Sequence, residues 1–140
     1  MKQLLLRLAQ RLAIEPPSAD SHGCYHIFLE GHDLVLEPTG TQFTVRSVLP
    51  CALDLQGQEG LAAAQRALEM VTGWARRVPQ AVVVDPQGQW VVEARVELAG
   101  LQYPRFERLL YAQVEALEAL RPLFDMSPRR RHGGAMVCRP

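Results

Sequence analysis

The sequence predicts an α+β fold, with one antiparallel five-stranded sheet and helices packed on one side of it. Three segments carry apolar residues at the 3.6-residue spacing of a helix, and five shorter segments read as strands. Turns that contain glycine or proline separate these short strands, which is typical of hairpins and a meander. The predicted order of elements is therefore α-β-β-β-α-β-β-α.

Composition indicates a single domain. The chain has 140 residues, enough to bury roughly two-thirds of the surface of its unfolded state, and its 48% hydrophobic content is typical of a packed core. All 15 acidic residues lie within residues 1–126, but four of the 15 basic residues lie in residues 127–140. We therefore expect a mildly acidic domain over residues 1–126 and a basic, flexible tail over residues 127–140.

The same composition argues against several partners. Nucleic-acid binding usually requires a basic face on the domain itself, so no nucleic acid is expected. No apolar run approaches the length that spans a bilayer, and Arg7 and Arg11 interrupt the apolar start of the chain. Neither membrane insertion nor a signal peptide is therefore expected. The odd number of cysteines (Cys24, Cys51 and Cys138) fits a reducing cytoplasm better than a disulfide framework.

The first helix is predicted over residues 2–14, where Pro16 and Pro17 stop it. Its apolar side consists of residues at helical spacing: Leu4, Leu5, Leu8, Ala9 and Leu12. Leu6 falls outside this stripe. The helix therefore has more apolar surface than one contact needs.

Three strands are predicted next, over residues 24–30, 34–37 and 42–49. In the first, alternation directs Tyr25, Ile27 and Leu29 to the core, and Cys24, His26 and Phe28 to the opposite face. Phe28 and Val35 both face away from the predicted core. Apolar residues that gather on an exposed face are typical of a binding surface.

A hairpin and a long helix complete the predicted fold. Strands over residues 81–84 and 90–98 are joined by a turn-forming stretch, Asp85-Pro86-Gln87-Gly88-Gln89. The second strand alternates apolar and polar residues, so one face is buried and the other is wet. The last helix is predicted to start near Tyr103-Pro104, where the missing N–H of proline costs nothing, and to end at Pro122.

The central helix, predicted over residues 60–78, has apolar residues on two lines. The first line contains Leu61, Ala64, Leu68, Val71, Ala75 and Val78, and the second contains Ala63, Ala67, Met70 and Trp74. A helix on the surface of a monomer usually needs one apolar stripe. Because the first line is expected to fill the side that faces the sheet, the second predicts contact with another subunit.

Catalytic signals are weak, and we expect no catalytic residue, no metal and no cofactor. The sequence has no phosphate-binding glycine loop and no nucleophile elbow. Cys24 and His26 share one strand face, but a metal site needs a third and a fourth ligand. Glu93 and Glu97 have Arg95 between them, which is typical of a solvated strand rather than an acid-base pair.

The pattern resembles the class I type III secretion chaperones, the Tir-chaperone family. The resemblance covers about residues 2–124 and rests on the order of elements, the chain length and the mildly acidic domain. It also rests on four stretches: LLLRLAQRLAI as the first helix, LVLEPTGTQFTVRSVL as paired strands, LAAAQRALEMVTGWA as the dimer helix, and WVVEARVEL before the last helix.

The resemblance implies a bacterial cytoplasmic homodimer without enzymatic activity. Such a protein binds the amino-terminal region of a secreted effector, keeps it extended, and helps to deliver it to the export apparatus and its ATPase. The residues expected to contact the effector are Leu4, Leu5, Leu8, Leu12, Phe28 and Val35. Those expected at the dimer interface are Ala63, Ala67, Met70, Trp74, Val82 and Val84.

Two other functions fit the same pattern of elements. A small ligand-binding or enzymatic α+β domain would have a closed pocket near Cys24, His26 and Phe28. A non-catalytic regulator with the same fold would instead bind a folded partner. Only a pocket or an identified partner separates these functions from that of a secretion chaperone.

Overall fold

The computed structural model describes residues 1–49 and 57–125, and it confirms the predicted order of elements. The helices are α1 (Lys2–Leu12), α2 (Gln58–Trp74) and α3 (Tyr103–Asp125). The strands are β1 (Tyr25–Leu29), β2 (His32–Thr39), β3 (Gln42–Val48), β4 (Ala81–Val84) and β5 (Trp90–Glu97). The predicted tail over residues 127–140 lies outside the described residues, as do Cys51 and Cys138.

The five strands form one antiparallel sheet in the order β1-β2-β3-β5-β4, so β1 and β4 are its edges. Helix α3 contacts β3 and β5, α2 contacts β4, and α1 packs on α3. No helix of the described part packs on the opposite face, which we call the outer face. This arrangement confirms the predicted fold class.

Two buried clusters form the core, and α3 contributes to both. The first joins α1, β1, β2, β3 and the start of α3, and there the rings of Phe43 and Phe106 lie 6.0 Å apart. The second joins α2, β5 and the end of α3, where Trp90 meets Phe124 edge-on at 5.7 Å. The buried side chain of Gln113 donates a hydrogen bond to the carbonyl oxygen of Val92 at 2.8 Å, which fixes α3 on the sheet.

Strand β2 is longer than predicted, because Pro38 and Thr39 pair with β3 instead of forming a turn. A proline in a strand normally removes one hydrogen bond of the ladder. In β2, alternation directs the nitrogen of Pro38 toward β1, whose pairing with β2 ends at Leu36. No ladder bond is lost there, so the strand continues to Thr39.

The predicted ends of the helices also differ from those observed. Helix α1 stops at Leu12, where Ala13 adopts a left-handed conformation with φ of 53°, and α2 ends at Trp74. The prediction that Pro122 ends the last helix was wrong, because α3 continues to Asp125. The extra turn buries Phe124 against the second cluster, and this packing outweighs the hydrogen bond that proline removes.

Candidate protein-binding surfaces

The outer face carries an apolar patch formed by Phe28, Val35 and Val48, which we call the outer-face patch. Phe28 is 67% exposed and Val48 is 51% exposed, whereas Val35 is half-buried. Phe28 and Val35 lie on the face that alternation predicts. Val48 was not singled out from the sequence, although the two-residue repeat that it shares with Arg46 and Thr44 places it as an apolar residue on the same wet face.

A groove of about 640 Å³ borders this patch. Val35, Val48 and Leu117 are among the apolar residues that line it. At its rim, Nε2 of His32 lies 2.6 Å from Oε1 of Glu118, which ties the β1–β2 hairpin to α3. The groove therefore joins apolar walls to a polar rim, as protein-binding sites commonly do.

The β1–β2 hairpin has a two-residue turn that sets the register of the patch. Glu30 has φ of 49° and Gly31 has φ of 86°. Two positive φ values match the right-handed twist of the strands, and glycine adopts such a value without steric cost. The resulting register places Phe28 opposite Asp33 and His26 opposite Val35.

The loop before β1 is held by Asp20. Its Oδ1 accepts hydrogen bonds from the backbone N–H groups of His22 at 2.8 Å and Cys24 at 2.9 Å, and its Oδ2 lies 3.0 Å from Nε2 of His26. The hydrogen bond with His26, then that with the N–H of Cys24, lowers the pKa of Asp20 from 3.8 to about 2. The loop that precedes the outer-face patch is thus ordered by an ionised carboxylate.

We expect the Asp20 loop to loosen only in strong acid. Because the pKa of Asp20 is lower in the folded state, its contribution to stability is complete above pH 3.8 and disappears as the pH falls toward about 2. A carboxyl-detected NMR titration should give Asp20 a midpoint near 2. Asp20→Asn should remove this pH dependence and Ser21→Ala should keep it, whereas a midpoint near 3.8 would contradict the observed hydrogen bonds.

Helix α1 offers only part of its predicted effector surface to solvent. Leu5 is 2% exposed and Leu8 is 1% exposed, and both belong to the first core cluster. Leu4 and Leu12 are half-buried against that cluster, and Leu6 on another side of the helix is 47% exposed. In this conformation a partner reaches Leu4, Leu6 and Leu12 directly, while Leu5 and Leu8 support the helix from below.

Helix α2 is rotated relative to the orientation assumed from its sequence. Ala67 is fully buried, and Met70 and Trp74 are half-buried against the second core cluster of their own chain. Leu61 and Leu68, which were expected to face the sheet, are instead 54% and 51% exposed. The larger apolar area of Met70 and Trp74 accounts for this rotation, since burying it stabilises the fold more.

The exposed side of α2 is a shallow apolar surface. Leu61, Ala64 and Leu68 line it, with Gln65, Glu69 and Thr72 beside them. Edge strand β4 contacts α2, and there Val82 is half-buried and Val84 is 48% exposed. Apolar surface therefore continues from the helix to the edge of the sheet.

The region around Cys24 and His26 is the exposed face at the start of strand β1, where Cys24 is half-buried. His26 and Phe28 are exposed, and within the described ranges no three histidine, cysteine, aspartate or glutamate residues are placed to hold a metal. Desolvation, together with the charges of Asp20 and Glu37, raises the pKa of the Cys24 thiol above 9.0. A thiol with a raised pKa is a poor nucleophile and a poor metal ligand near neutral pH.

Solved structures with the same architecture include chaperone complexes. A HopA1-SchA chaperone-effector complex matches with a TM-score of 0.69 at 18% identity, over 86% of this chain and 92% of the other. The heterodimeric ExoU-SpcU complex from the type III secretion system of Pseudomonas aeruginosa matches with a TM-score of 0.69 at 19% identity, over 89% and 98%. The fold is thus one found in a chaperone-effector complex and in a heterodimeric complex of a type III secretion system.

Sequence comparison identifies the family. The model of the Tir chaperone protein (CesT) family matches residues 3–121. Chaperone protein YscB of Yersinia enterocolitica is 32% identical over 123 residues, which are 87% of this chain and 90% of that protein, and YscB of Yersinia pestis matches equally. The chain belongs to the Tir chaperone protein family.

Proposed function

We propose that this protein is a non-catalytic chaperone that binds the amino-terminal region of one or more type III secreted effectors and keeps it extended for export. The observation that carries the proposal is the outer-face patch, where Phe28 is 67% exposed on edge strand β1. An aromatic side chain exposed beside an open strand edge is suited to a partner chain. Family membership supports this function.

Strand β1 provides backbone groups for an extended partner. On its free edge, the N–H of Asp20 donates to the carbonyl oxygen of Cys24 at 2.8 Å. Alternation then directs the N–H and C=O of Phe28 to the same edge. We propose that the effector segment adds a strand there, since backbone hydrogen bonds supply affinity and side-chain pockets supply specificity.

The apolar side chains of the effector would meet two surfaces. The outer-face patch and its groove lie on one side of β1, and we assign Phe28 and Val35 to this contact. Leu4 and Leu12 of α1 would form a second contact, with Leu5 and Leu8 beneath them. Hiding apolar residues of the effector in this way keeps them from collapsing into a folded domain before export.

The direct test is affinity capture of the tagged protein from the native bacterium, followed by limited proteolysis of the captured partner. We expect one protected stretch near the amino terminus of a much larger secreted protein. A captured partner protected throughout, or only in a folded domain, would favour a regulator that binds folded proteins.

We further propose that the protein is a homodimer built on α2. Its exposed leucines, Leu61 and Leu68, add to the predicted interface residues Ala63, Ala67, Met70, Trp74, Val82 and Val84. Ala67 would act by permitting close approach, because it has no exposed surface of its own. The proposal is supported by the apolar surface that continues from α2 to β4.

Leu68→Asp should shift the protein from dimer to monomer, with the affinity between subunits lowered by at least about tenfold, because a buried carboxylate would lack a partner. Leu68 is preferable to Trp74 because it is exposed and its loss leaves the core of the subunit intact. Sedimentation equilibrium at micromolar concentration measures the change. Ile14→Asp, at a similarly exposed residue outside α2, is the matched control, and a monomeric wild type would refute the interface.

The cellular context of the proposal follows from the family. We place the chaperone in the bacterial cytoplasm, where it hands its effector to the export apparatus and its ATPase. No helix within the described segments is long and apolar enough to cross a bilayer.

A further inference from the structure

Strand β5 is twice as long as its neighbour β4. Trp90–Glu93 pair with β4 on one side, whereas β5 pairs with β3 as far as Glu97. The second half of β5 therefore has a strand on one side only within the part of the chain that is described. This opening is distinct from the free edge of β1 at the far end of the sheet.

The backbone groups at this opening can be assigned from the hydrogen bonds on either side. The N–H of Leu98 donates to the carbonyl oxygen of Thr41, and the carbonyl oxygen of Trp90 accepts from Leu49, both at 2.8 Å, so even-numbered residues of β5 bond to β3. Alternation directs the N–H and C=O groups of Arg95 and Glu97 to the open side.

Proline explains why β4 does not cover these groups. The register pairs Ala81 with Glu93, so a longer β4 would bring Pro79 opposite Arg95. Proline has no N–H to donate, and pairing stops before it. The opening is therefore encoded in the sequence, and it leaves the backbone groups of two residues, Arg95 and Glu97, without a strand partner.

A groove of about 940 Å³ lies between this open edge and α3. Its apolar lining includes Val96, Leu101, Leu109 and Ala112. Five arginines also line it (Arg11, Arg77, Arg95, Arg105 and Arg108), against three glutamates (Glu97, Glu107 and Glu115). The groove thus has a positive lining, although residues 1–126 as a whole carry more acidic than basic groups.

Three of these arginines have no carboxylate partner among the described residues, so their charges are available to a ligand. Arg11 is paired with Glu107 at 2.8 Å, and Arg95 with Glu93 at 3.2 Å. In contrast, Arg77, Arg105 and Arg108 form no ion pair with any described residue. Such guanidinium groups bind carboxylates strongly.

We propose that this groove binds an extended acidic peptide segment of a partner protein, by strand addition to the edge at Arg95 and Glu97. Alternate side chains of the peptide would enter the apolar floor, and its carboxylates would meet Arg77, Arg105 and Arg108. A peptide is favoured over a nucleic acid because the edge offers donors and acceptors spaced for another backbone. The proposal does not rest on the chaperone function.

The test uses fluorescence anisotropy of the full-length protein with a labelled peptide of alternating Glu and Val, and a Lys-Val peptide as the control. We expect binding of the Glu-Val peptide that weakens as salt is added, and no comparable binding of the Lys-Val peptide. A Glu-Val peptide with N-methyl groups on alternate residues should bind at least about tenfold more weakly, because it cannot pair as a strand.

Two variants of Arg95 distinguish the contribution of its backbone N–H to peptide binding from that of its side chain. Arg95→Pro removes the open N–H without touching a hydrogen bond to β3, and it should weaken binding about tenfold relative to Arg95→Ala, which keeps that N–H. Binding of Arg95→Pro equal to that of Arg95→Ala overturns strand addition. A circular dichroism spectrum and a urea unfolding midpoint that match those of Arg95→Ala would show that Arg95→Pro is folded.

Charge reversal tests the arginines. The double variant Arg105→Glu/Arg108→Glu should lose at least about tenfold in affinity, whereas Arg7→Glu/Arg66→Glu, which reverses two charges outside the groove, should change it little. Equal effects of the two double variants overturn the site. Failure of the wild type to bind the Glu-Val peptide, or preferential binding of an oligouridylate, overturns it as well.

Discussion

Replacing Phe106 with alanine should lower the free energy of unfolding by about 3–5 kcal/mol, because it leaves a cavity where packing is complete. Phe106 has no exposed surface, and its ring lies 6.0 Å from that of Phe43 in the first core cluster. The loss is a large part of the stability of a domain of this size. Urea unfolding followed by tryptophan fluorescence and by circular dichroism measures it.

The control for this variant is Phe28→Ala, since it removes the same side chain from a site that is 67% exposed. The control should change the free energy of unfolding by no more than about 0.5 kcal/mol. Comparable losses in the two variants would mean that Phe28 is packed in solution, which would also remove the basis of the outer-face patch.

Phe28→Asp should weaken effector binding by about 100-fold while the protein remains folded. Aromatic anchors at the centre of an interface commonly contribute more than 2 kcal/mol, and a carboxylate there would have to be desolvated without a partner. Isothermal titration with the protease-protected effector fragment measures the affinity. The position of Phe28 on edge strand β1, close to the open backbone, is the reason for the size of the effect.

For the effector-binding measurement the control is Leu68→Asp, because Leu68 is apolar like Phe28 and is 51% exposed, but it lies on α2. It should alter the oligomeric state and leave the intrinsic contact at β1 in place. An affinity for the fragment that is unchanged by Phe28→Asp would refute the outer-face patch as the effector site, even if the protein proves to be a dimer.

Strand and helix order could be predicted from the sequence because it depends on local periodicity. The alternation in β5 and the turn at Asp85 to Gln89 specify one hairpin, and the observed register agrees. The end of α3 could not be predicted in the same way. Pro122 is a local stop signal, whereas the burial of Phe124 against Trp90 is a tertiary contact between residues distant in sequence.

The orientation of α2 shows a second limit of local patterns. Its two apolar lines were visible in the sequence, but which line faces the sheet depends on the shape of the second core cluster. Ala67 is fully buried in that cluster, Met70 and Trp74 are half-buried against it, and Leu61 and Leu68 are left exposed. Periodicity gives the angle between two stripes and contains no information about the partner of each.

The candidate sites also differ in whether a local sequence pattern could reveal them. Phe28 and Val35 could be found because β1 and β2 alternate regularly, and Val48 could have been found by the same test. The opening beside Arg95 required the pairing register, since only the register brings Pro79 opposite it. The bond between His32 and Glu118 joins residues 86 positions apart and has no local signature.

The uncovered leucines of α2 and the uncovered Phe28 together link the lifetime of this protein to its surroundings. Any molecule that binds only the folded chain raises its apparent stability by mass action. Under the proposed function, a subunit synthesised without a mate or a cargo would consequently be in its least protected condition, with the greatest exposure to proteases and to aggregation. Supply of cargo would thereby regulate how much of its own carrier survives.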